Sequence, residues 1–255
     1  MNFLGIIPAR FGSTRLEGKP LADICGKPMI QHVYEQAQKA IENVYIATDD
    51  KRIEDAVKSF GGNVVMTSEE HNSGTNRCLE AYNIIQQNSK IKFDVVVNIQ
   101  GDEPMLVPEQ ILELTACFNN PTTEIATLIA KITKAEDLED LTNAFVIFDK
   151  NMKSIYFSRS VIPGVKDIEK SEWLGKTDFY KHLGMYGYRP NTLEKIANLP
   201  QSRLEIAEGL EQNRWIENGY PIHVAISKYN NSMSVDTKED LENIRKIMCK
   251  QEIKL

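Results

Sequence analysis

Arg10, Ser13, Arg15 and Lys19 fall on one short loop that also carries Gly12, Thr14 and Gly18. Backbone N–H groups freed by the glycines, with three cations around them, can surround a triphosphate. A solvated basic loop is the plainer alternative. Two carboxylates pair naturally with such a site: Asp102, in Gly101-Asp102-Glu103-Pro104, and Asp236, just before Thr237. Hard carboxylate oxygens beside a triphosphate point to magnesium, which binds through one or two carboxylates plus phosphate oxygens. Each acid has a structural alternative. Asp102 can also be read as a turn acid, and Asp236 adjoins Thr237-x-x-Asp240, a capping box that gives a nearby acid work at a helix N-terminus.

Spacing excludes two familiar phosphate loops. The Walker pattern puts four residues between its first glycine and Gly-Lys-Ser/Thr, whereas five separate Gly12 from Gly18 and Pro20 follows Lys19. The dinucleotide fingerprint Gly-x-Gly-x-x-Gly is absent after the first strand, which removes the main support for a nicotinamide or flavin enzyme.

The elements that must hold these residues follow from hydrophobic periodicity. Phe3 to Ile7 is an apolar run of strand length, expected to stop at Pro8. Pro28 stands where a first helical residue would, and Ile30, Val33, Tyr34, Ala37 and Ile41 recur at helical spacing. Strands are predicted over 44–48, 63–66, 93–100 and 125–132, and helices over 53–60, around 78–86 and from Pro108 with Ile111, Leu112, Thr115 and Phe118 inward. This β-α-β alternation predicts a three-layer α/β architecture, a mostly parallel sheet with helices on both faces. Ligands bind at the carboxyl ends of such strands, so Asp102 and the opening loop belong at one edge.

Beyond Thr133 the alternation weakens. Residues 145–148 and 154–157, joined by Asp149-Lys150-Asn151-Met152, read as an antiparallel hairpin. A strand over 184–189, helices over 193–199 and 204–218, a strand over 222–226 and a last helix with Leu241, Ile244, Ile247 and Met248 on one face complete the chain. One domain over 1–255 is expected, with an excursion at about 145–190.

The composition, 42% apolar over 255 residues, suffices for a sizeable core. A net charge of -6 makes the basic loop a local feature and implies no general nucleic-acid surface. Cys25, Cys78, Cys117 and Cys249 are scattered without metal-ligand spacing, so free thiols in a reducing compartment are expected rather than zinc or a disulfide framework. No basic leader precedes the short N-terminal apolar run and no apolar stretch reaches about 18 residues, so neither secretion nor a membrane span is expected.

Later polar residues are ambiguous by themselves. The helix expected over 204–218 places Leu204, Ala207, Leu210 and Glu211 on one side and brings Gln212 beside them, which fits either a ligand site or the edge of a solvated face. His182 alone is more often structural than catalytic. No Gly-x-Ser-x-Gly elbow or partnered Cys/His pattern supports covalent catalysis.

Taken together, Ile6-Ile7-Pro8-Ala9-Arg10 with Ser13-Thr14-Arg15-Leu16-x-Gly18-Lys19-Pro20-Leu21, His71-x-Ser73-Gly74-Thr75-x-Arg77, Asn98-Ile99-Gln100-Gly101-Asp102-Glu103-Pro104, Tyr156-Phe157-Ser158-Arg159, His182-Leu183-Gly184-x-Tyr186-Gly187-Tyr188, Leu210-Glu211-Gln212 and Val235-Asp236-Thr237 resemble the 3-deoxy-manno-octulosonate cytidylyltransferases, or CMP-Kdo synthetases. The chain departs from the pattern at Pro163-Gly164-Val165-Lys166 and at Asn231-Ser232-Met233-Ser234. The resemblance implies a nucleotidyltransferase (Rossmann-like) fold with an antiparallel dimerisation excursion. It implies a cytoplasmic, Mg2+-dependent homodimer that joins CTP and Kdo to give CMP-Kdo and pyrophosphate for lipopolysaccharide biosynthesis. By the same resemblance Arg10, Ser13, Arg15 and Lys19 hold phosphates, Arg77 lies near the nucleotide–sugar junction, and Asp102 and Asp236 bind the metal. Lys19, Arg10, Asp102 and Asp236 form the catalytic set. Gln100, Arg159, His182, Tyr186, Glu211 and Gln212 would hold the sugar acid, the last five in the region that includes the excursion. A cytidylyltransferase for another sugar acid, such as a sialic acid, and a noncatalytic nucleotide-binding module remain as alternatives.

Overall fold

Leu4, Ile6 and Ile7 of β1 (Phe3–Ala9) have no exposed surface. A strand buried on both faces belongs inside a parallel sheet. The computed structural model describes residues 1–12, 15–71, 73–230 and 233–252, so Ser13 and the Asn231-Ser232 part of the second departure lie outside the described residues. The chain divides into two compact units, Met1–Leu112 with Asn231–Leu255, and Glu113–Asn230. The excursion expected at about 145–190 falls within the second.

In the first unit β1 is followed by the short antiparallel pair β2 (Asp23–Ile24) and β3 (Lys27–Pro28), then α1 (Met29–Gln38), β4 (Asn43–Thr48), α2 (Lys51–Ser59), β5 (Val64–Met66), α3 (Gly74–Asn88) and β6 (Val95–Asn98). The strands β6-β1-β4-β5 run parallel in that order. The strand passes through the expected stop at Pro8 and ends at Ala9, opposite Thr48. Proline is tolerated there because β6 pairs with β1 only up to Ile6, so no ladder partner on that side lacks a donor. Pro28 is the residue before α1 rather than its first residue. Side-chain caps start two of the helices: Asp50 accepts from the Arg52 amide at 2.9 Å and Ser73 from the Asn76 amide at 3.2 Å.

Helix α4 (Pro108–Ala116) carries the chain into the second unit. Ile111 and Leu114 are its buried apolar residues, with Gln110 buried beside them; Leu112, expected inward, is 51% exposed, because the buried apolar stripe follows the i, i+3 spacing of Ile111 and Leu114. There β7 (Ile125–Lys131), β8 (Phe145–Phe148), β9 (Ser154–Ser158), β10 (Tyr180–Tyr188), α5 (Pro190–Ala197), α6 (Arg203–Glu208), α7 (Gln212–Glu217) and β11 (Ile222–Ile226) follow. β7 is flanked by β11, parallel, and β10, antiparallel, and the expected hairpin β8–β9 pairs antiparallel and extends from β10. The overall class is α/β with a mostly parallel sheet and added antiparallel strands, as the sequence predicts.

The single helix expected over 204–218 is two helices. Ser202 opens α6 with a capping box, and Gly209, at φ 63, ends it in the left-handed conformation that glycine adopts freely. α7 starts afresh after Glu211, so the one-sided apolar face drawn through Leu204, Ala207 and Leu210 does not exist.

After Asp236 the last helix, α8 (Lys238–Glu252), returns to the first unit. Its Leu241 and Ile244, with Val235, pack on Leu16, Ile24 and Met29. This apolar contact corrects the thiol expectation. It brings Cys249 to Cys25, Cα–Cα 5.6 Å across 224 residues of sequence, and the two form a disulfide. Cys78 and Cys117 are the free cysteines among the described residues. Among those residues no helix is long and apolar enough to cross a membrane.

Candidate functional site

The carboxyl ends of β1 and β6 open onto one cavity of about 340 Å³ in the first unit. Its lining includes Arg10, Arg15 and Lys19 from the loop after β1, Gln100 and Asp102 from the turn after β6, Arg77 and Gly74 of α3, and Asp236 before α8. Gly101 makes this meeting possible: a Cβ there would lie 2.9 Å from the Pro8 carbonyl oxygen, too close for any other residue without backbone movement. The basic loop is folded back on itself by the Gly18 amide, which donates to the Phe11 carbonyl at 3.0 Å, while the Arg52 guanidinium lies 3.3 Å over the Phe11 ring.

Lys19 is the centre of the charge arrangement. Its Nζ donates to Asp102 Oδ2 at 2.6 Å and to Asp236 Oδ1 at 3.1 Å, and Arg15 Nη2 reaches the same Asp236 oxygen at 3.1 Å. A backbone bond from the Val235 amide to the Asp102 carbonyl, 2.9 Å, ties the two acid-bearing segments together. The capping box forms as expected, and it does not use the Asp236 carboxylate. Thr237 Oγ1 accepts from the Asp240 amide at 3.1 Å, and Asp240 Oδ2 accepts from the Thr237 amide at 2.8 Å. Asp240 therefore serves the helix start, and the Asp236 carboxylate turns to Lys19 and Arg15.

Arg77 lines the same cavity but is only 3% exposed, with Nη2 on Asp49 Oδ2 and Nη1 on Thr67 Oγ1, both at 2.6 Å. Two lining features went unassigned in the sequence. The first is the N-terminus of α3 at Ser73-Gly74, where the helix dipole favours an anion; Ser followed by Gly-Thr was its cap signal. The second is His71, whose Nε2 is bonded to the Glu80 carboxylate.

The remaining candidates belong to the second unit, where they form one cluster. His182 and Tyr186 on β10 have ring centroids 5.0 Å apart, and the Phe157 ring of β9 meets His182 edge-on at 5.3 Å. Burial, then the nearby Arg159 charge, pushes the His182 imidazole down to about 3, so the ring is neutral at ordinary pH. Burial, then the Glu211 carboxylate, holds the Tyr186 phenol well above its usual range. Tyr186 Oη and Gln212 Nε2 are buried without a hydrogen-bond partner among the described residues, and such atoms call for a ligand or water. Glu211 accepts from Arg214 Nη2 at 3.2 Å.

Glu208 was missed because the helix expected over 204–218 puts it mid-helix, whereas it is the last residue of α6. It is held by donors. Oε1 accepts from the Tyr156 and Ser158 hydroxyls, both at 2.9 Å, and Oε2 from the Arg159 amide at 2.8 Å. Burial raises its pKa, but the Arg159 amide and the two hydroxyls outweigh it and hold the carboxyl below its usual value of 4.5. A depressed acid adds stability above its unfolded pKa and loses it as pH falls through the folded one. Glu208→Gln should therefore destabilise the chain by about 1.5–3 kcal/mol at neutral pH, the range for bonds to a charged group. Urea unfolding should show that difference shrinking as the pH drops below 4.5; a constant difference would contradict the bonding scheme.

A family model described as Cytidylyltransferase matches residues 4–224. A 3-deoxy-manno-octulosonate cytidylyltransferase of Parabacteroides distasonis is 52% identical, over 95% of this chain and 96% of its own. One from Aliivibrio fischeri is 45% identical over 98% of this chain and 100% of its own. A solved CMP:2-keto-3-deoxy-manno-octonic acid synthetase complexed with CTP superposes with a TM-score of 0.89 at 38% identity, covering 98% of this chain and 100% of that one.

Proposed function

The chain belongs to the 3-deoxy-manno-octulosonate cytidylyltransferase family, and from that premise we propose that its first-unit cavity holds the triphosphate of CTP and its second-unit cluster holds Kdo. It is a nucleotidyltransferase that transfers CMP from CTP to Kdo, giving CMP-Kdo, a step of lipopolysaccharide biosynthesis. The observation that carries the division of residues is Lys19 bridging Asp102 and Asp236 among the loop cations.

The reaction is an in-line attack by the anomeric hydroxyl of Kdo on the α-phosphorus, with pyrophosphate leaving. Kdo brings a carboxylate toward a polyanion, and each pair of like charges about 4 Å apart repels by roughly 4 kcal/mol at an effective dielectric near 20. Arg10, Arg15 and Lys19 neutralise that charge, and the α3 N-terminus adds backbone donors. Ser13 belongs to the same proposal. Asp102 and Asp236 fit Mg2+: they are hard oxygen donors close enough to share one ammonium, and two carboxylates with phosphate oxygens and water are what that ion takes. No group of three or more His, Cys, Asp or Glu able to hold a metal gathers among the described residues, which suits a cation completed by substrate. When bound, Mg2+ supplies Lewis-acid polarisation of the phosphate and stabilises charge on the leaving group.

On the sugar side, Arg159 pairs with the Kdo carboxylate, while His182, Tyr186, Glu211 and Gln212 take its hydroxyls. Gln100, which the resemblance gives to the sugar acid, lines the first-unit cavity, and Arg77, held by Asp49, steadies the nucleotide wall. The homodimer and the cytoplasmic location are part of this proposal. Ile155 of β9, 53% exposed, and Leu141, 84% exposed, offer the dimer an apolar contact. Use of CTP supports the cytoplasm; the Cys25–Cys249 disulfide stands against it.

Pyrophosphate release from CTP and Mg2+ tests the reading, with Kdo, with a sialic acid and with no sugar. Release with Kdo alone is expected. Release with the sialic acid alone would overturn the cluster's assignment to Kdo, and CTP binding without release under any condition would favour a noncatalytic nucleotide-binding module.

A further inference from the structure

Thr127, in the middle of β7, has no exposed surface, and its hydroxyl touches two groups: the Met185 carbonyl at 2.7 Å and His182 Nε2 at 2.8 Å. A threonine hydroxyl has one proton to give. The carbonyl can only accept, so that proton goes to Met185, and the contact with His182 then requires Nε2 to be the donor. In a neutral imidazole a proton on Nε2 leaves a lone pair on Nδ1. Nδ1 makes no hydrogen bond among the described residues.

A sheet irregularity sets up this arrangement. The β10–β7 register steps from His182 opposite Ile129 to Tyr186 opposite Thr127, so β10 advances four residues while β7 advances two. Gly184 inside the bulge has φ 50. Bulges re-aim neighbouring side chains and interrupt the ladder. Met185, inside this one, has no register partner on β7, and its carbonyl is met by the Thr127 hydroxyl instead.

We propose that Thr127 is a positioning residue that holds His182 as the Nε2–H tautomer, so that Nδ1 accepts a hydrogen bond from a hydroxyl of the sugar acid. The proposal rests on the assignment of His182 to the Kdo site. It adds a rule of discrimination: a lone-pair acceptor beside Arg159 takes a donor group and turns away a carboxylate, so the acid end of the sugar is left to the guanidinium. The neutral ring is consistent with burial and with the Arg159 charge, both of which oppose an imidazolium.

Nitrogen-15 NMR of the histidine-labelled full chain tests it, with the His182 signal among the four histidines identified by its loss in His182→Gln. The Nε2–H tautomer is expected in the free protein, and added Kdo should shift Nδ1. Thr127→Val should give mixed tautomers and raise KM for Kdo about tenfold, the size of one lost hydrogen bond, with kcat and KM for CTP little changed. Thr127→Ser should restore both the tautomer and KM, which a packing role would not predict. An Nδ1–H tautomer in the free protein, or an unchanged KM in Thr127→Val, overturns the proposal. A locked Nε2–H ring that Kdo leaves unshifted overturns the acceptor role through the sugar assignment itself, with the Thr127 geometry intact.

Discussion

Lys19→Ala should lower turnover by about 10²–10³ with the chain still folded, the scale of one lost transition-state donor. Lys19 is 15% exposed and bonds to both carboxylates, so its removal deletes a fixed positive charge and leaves Asp102 and Asp236 facing each other. These acids are 28% and 34% exposed, so water takes up part of the lost interaction and the stability loss stays below that of a fully buried pair. The loss therefore falls mainly on chemistry. Lys19→Arg should recover only part of it, because a planar guanidinium does not reproduce a compact ammonium between two acids. Steady-state kinetics with circular dichroism checks both variants; near-normal turnover in folded Lys19→Ala would remove Lys19 from the catalytic set.

The parts of this site that were legible in the sequence are those that local chemistry writes. An apolar strand, a glycine-rich basic loop, and Gly-Asp at a second strand end placed Lys19 and Asp102 on one sheet edge, and Thr237-x-x-Asp240 announced its helix. The pieces that stayed hidden depend on distant packing. Nothing near Val235 says that its amide will bond to the Asp102 carbonyl, and that bond is what brings Asp236 to Lys19. The Cys25–Cys249 pair is invisible for the same reason, since it follows from α8 packing on Leu16, Ile24 and Met29. Gly209 misled differently: helical spacing continued through it, and one residue in the left-handed region outweighed the pattern. Glu208 and Thr127 carried no local signal, because Glu208 accepts from hydroxyls and an amide about fifty residues earlier and Thr127 meets His182 and the Met185 carbonyl on another strand.

Asp102→Asn and Asp236→Asn should each lower turnover by about 10²–10³ at saturating CTP and Kdo, comparable to the loss at Lys19. The two alternatives for these acids predict otherwise. If Asp102 were only a turn acid, asparagine would substitute well, since both residues favour turns. If Asp236 served only α8, its change would mimic Asp240→Asn, which disturbs the capping box at about 1 kcal/mol of stability and leaves the cavity carboxylates in place. Shared duty at one cation predicts a distinct pattern. Each single change weakens Mn2+ binding to the CTP-loaded protein, measured by electron paramagnetic resonance, and the double variant loses little more turnover than either single one, because residues acting as a unit are non-additive. Full multiplication of the two losses would mean independent roles. Unchanged Mn2+ binding in both variants would take the metal away from these acids and leave them as partners of Lys19 alone.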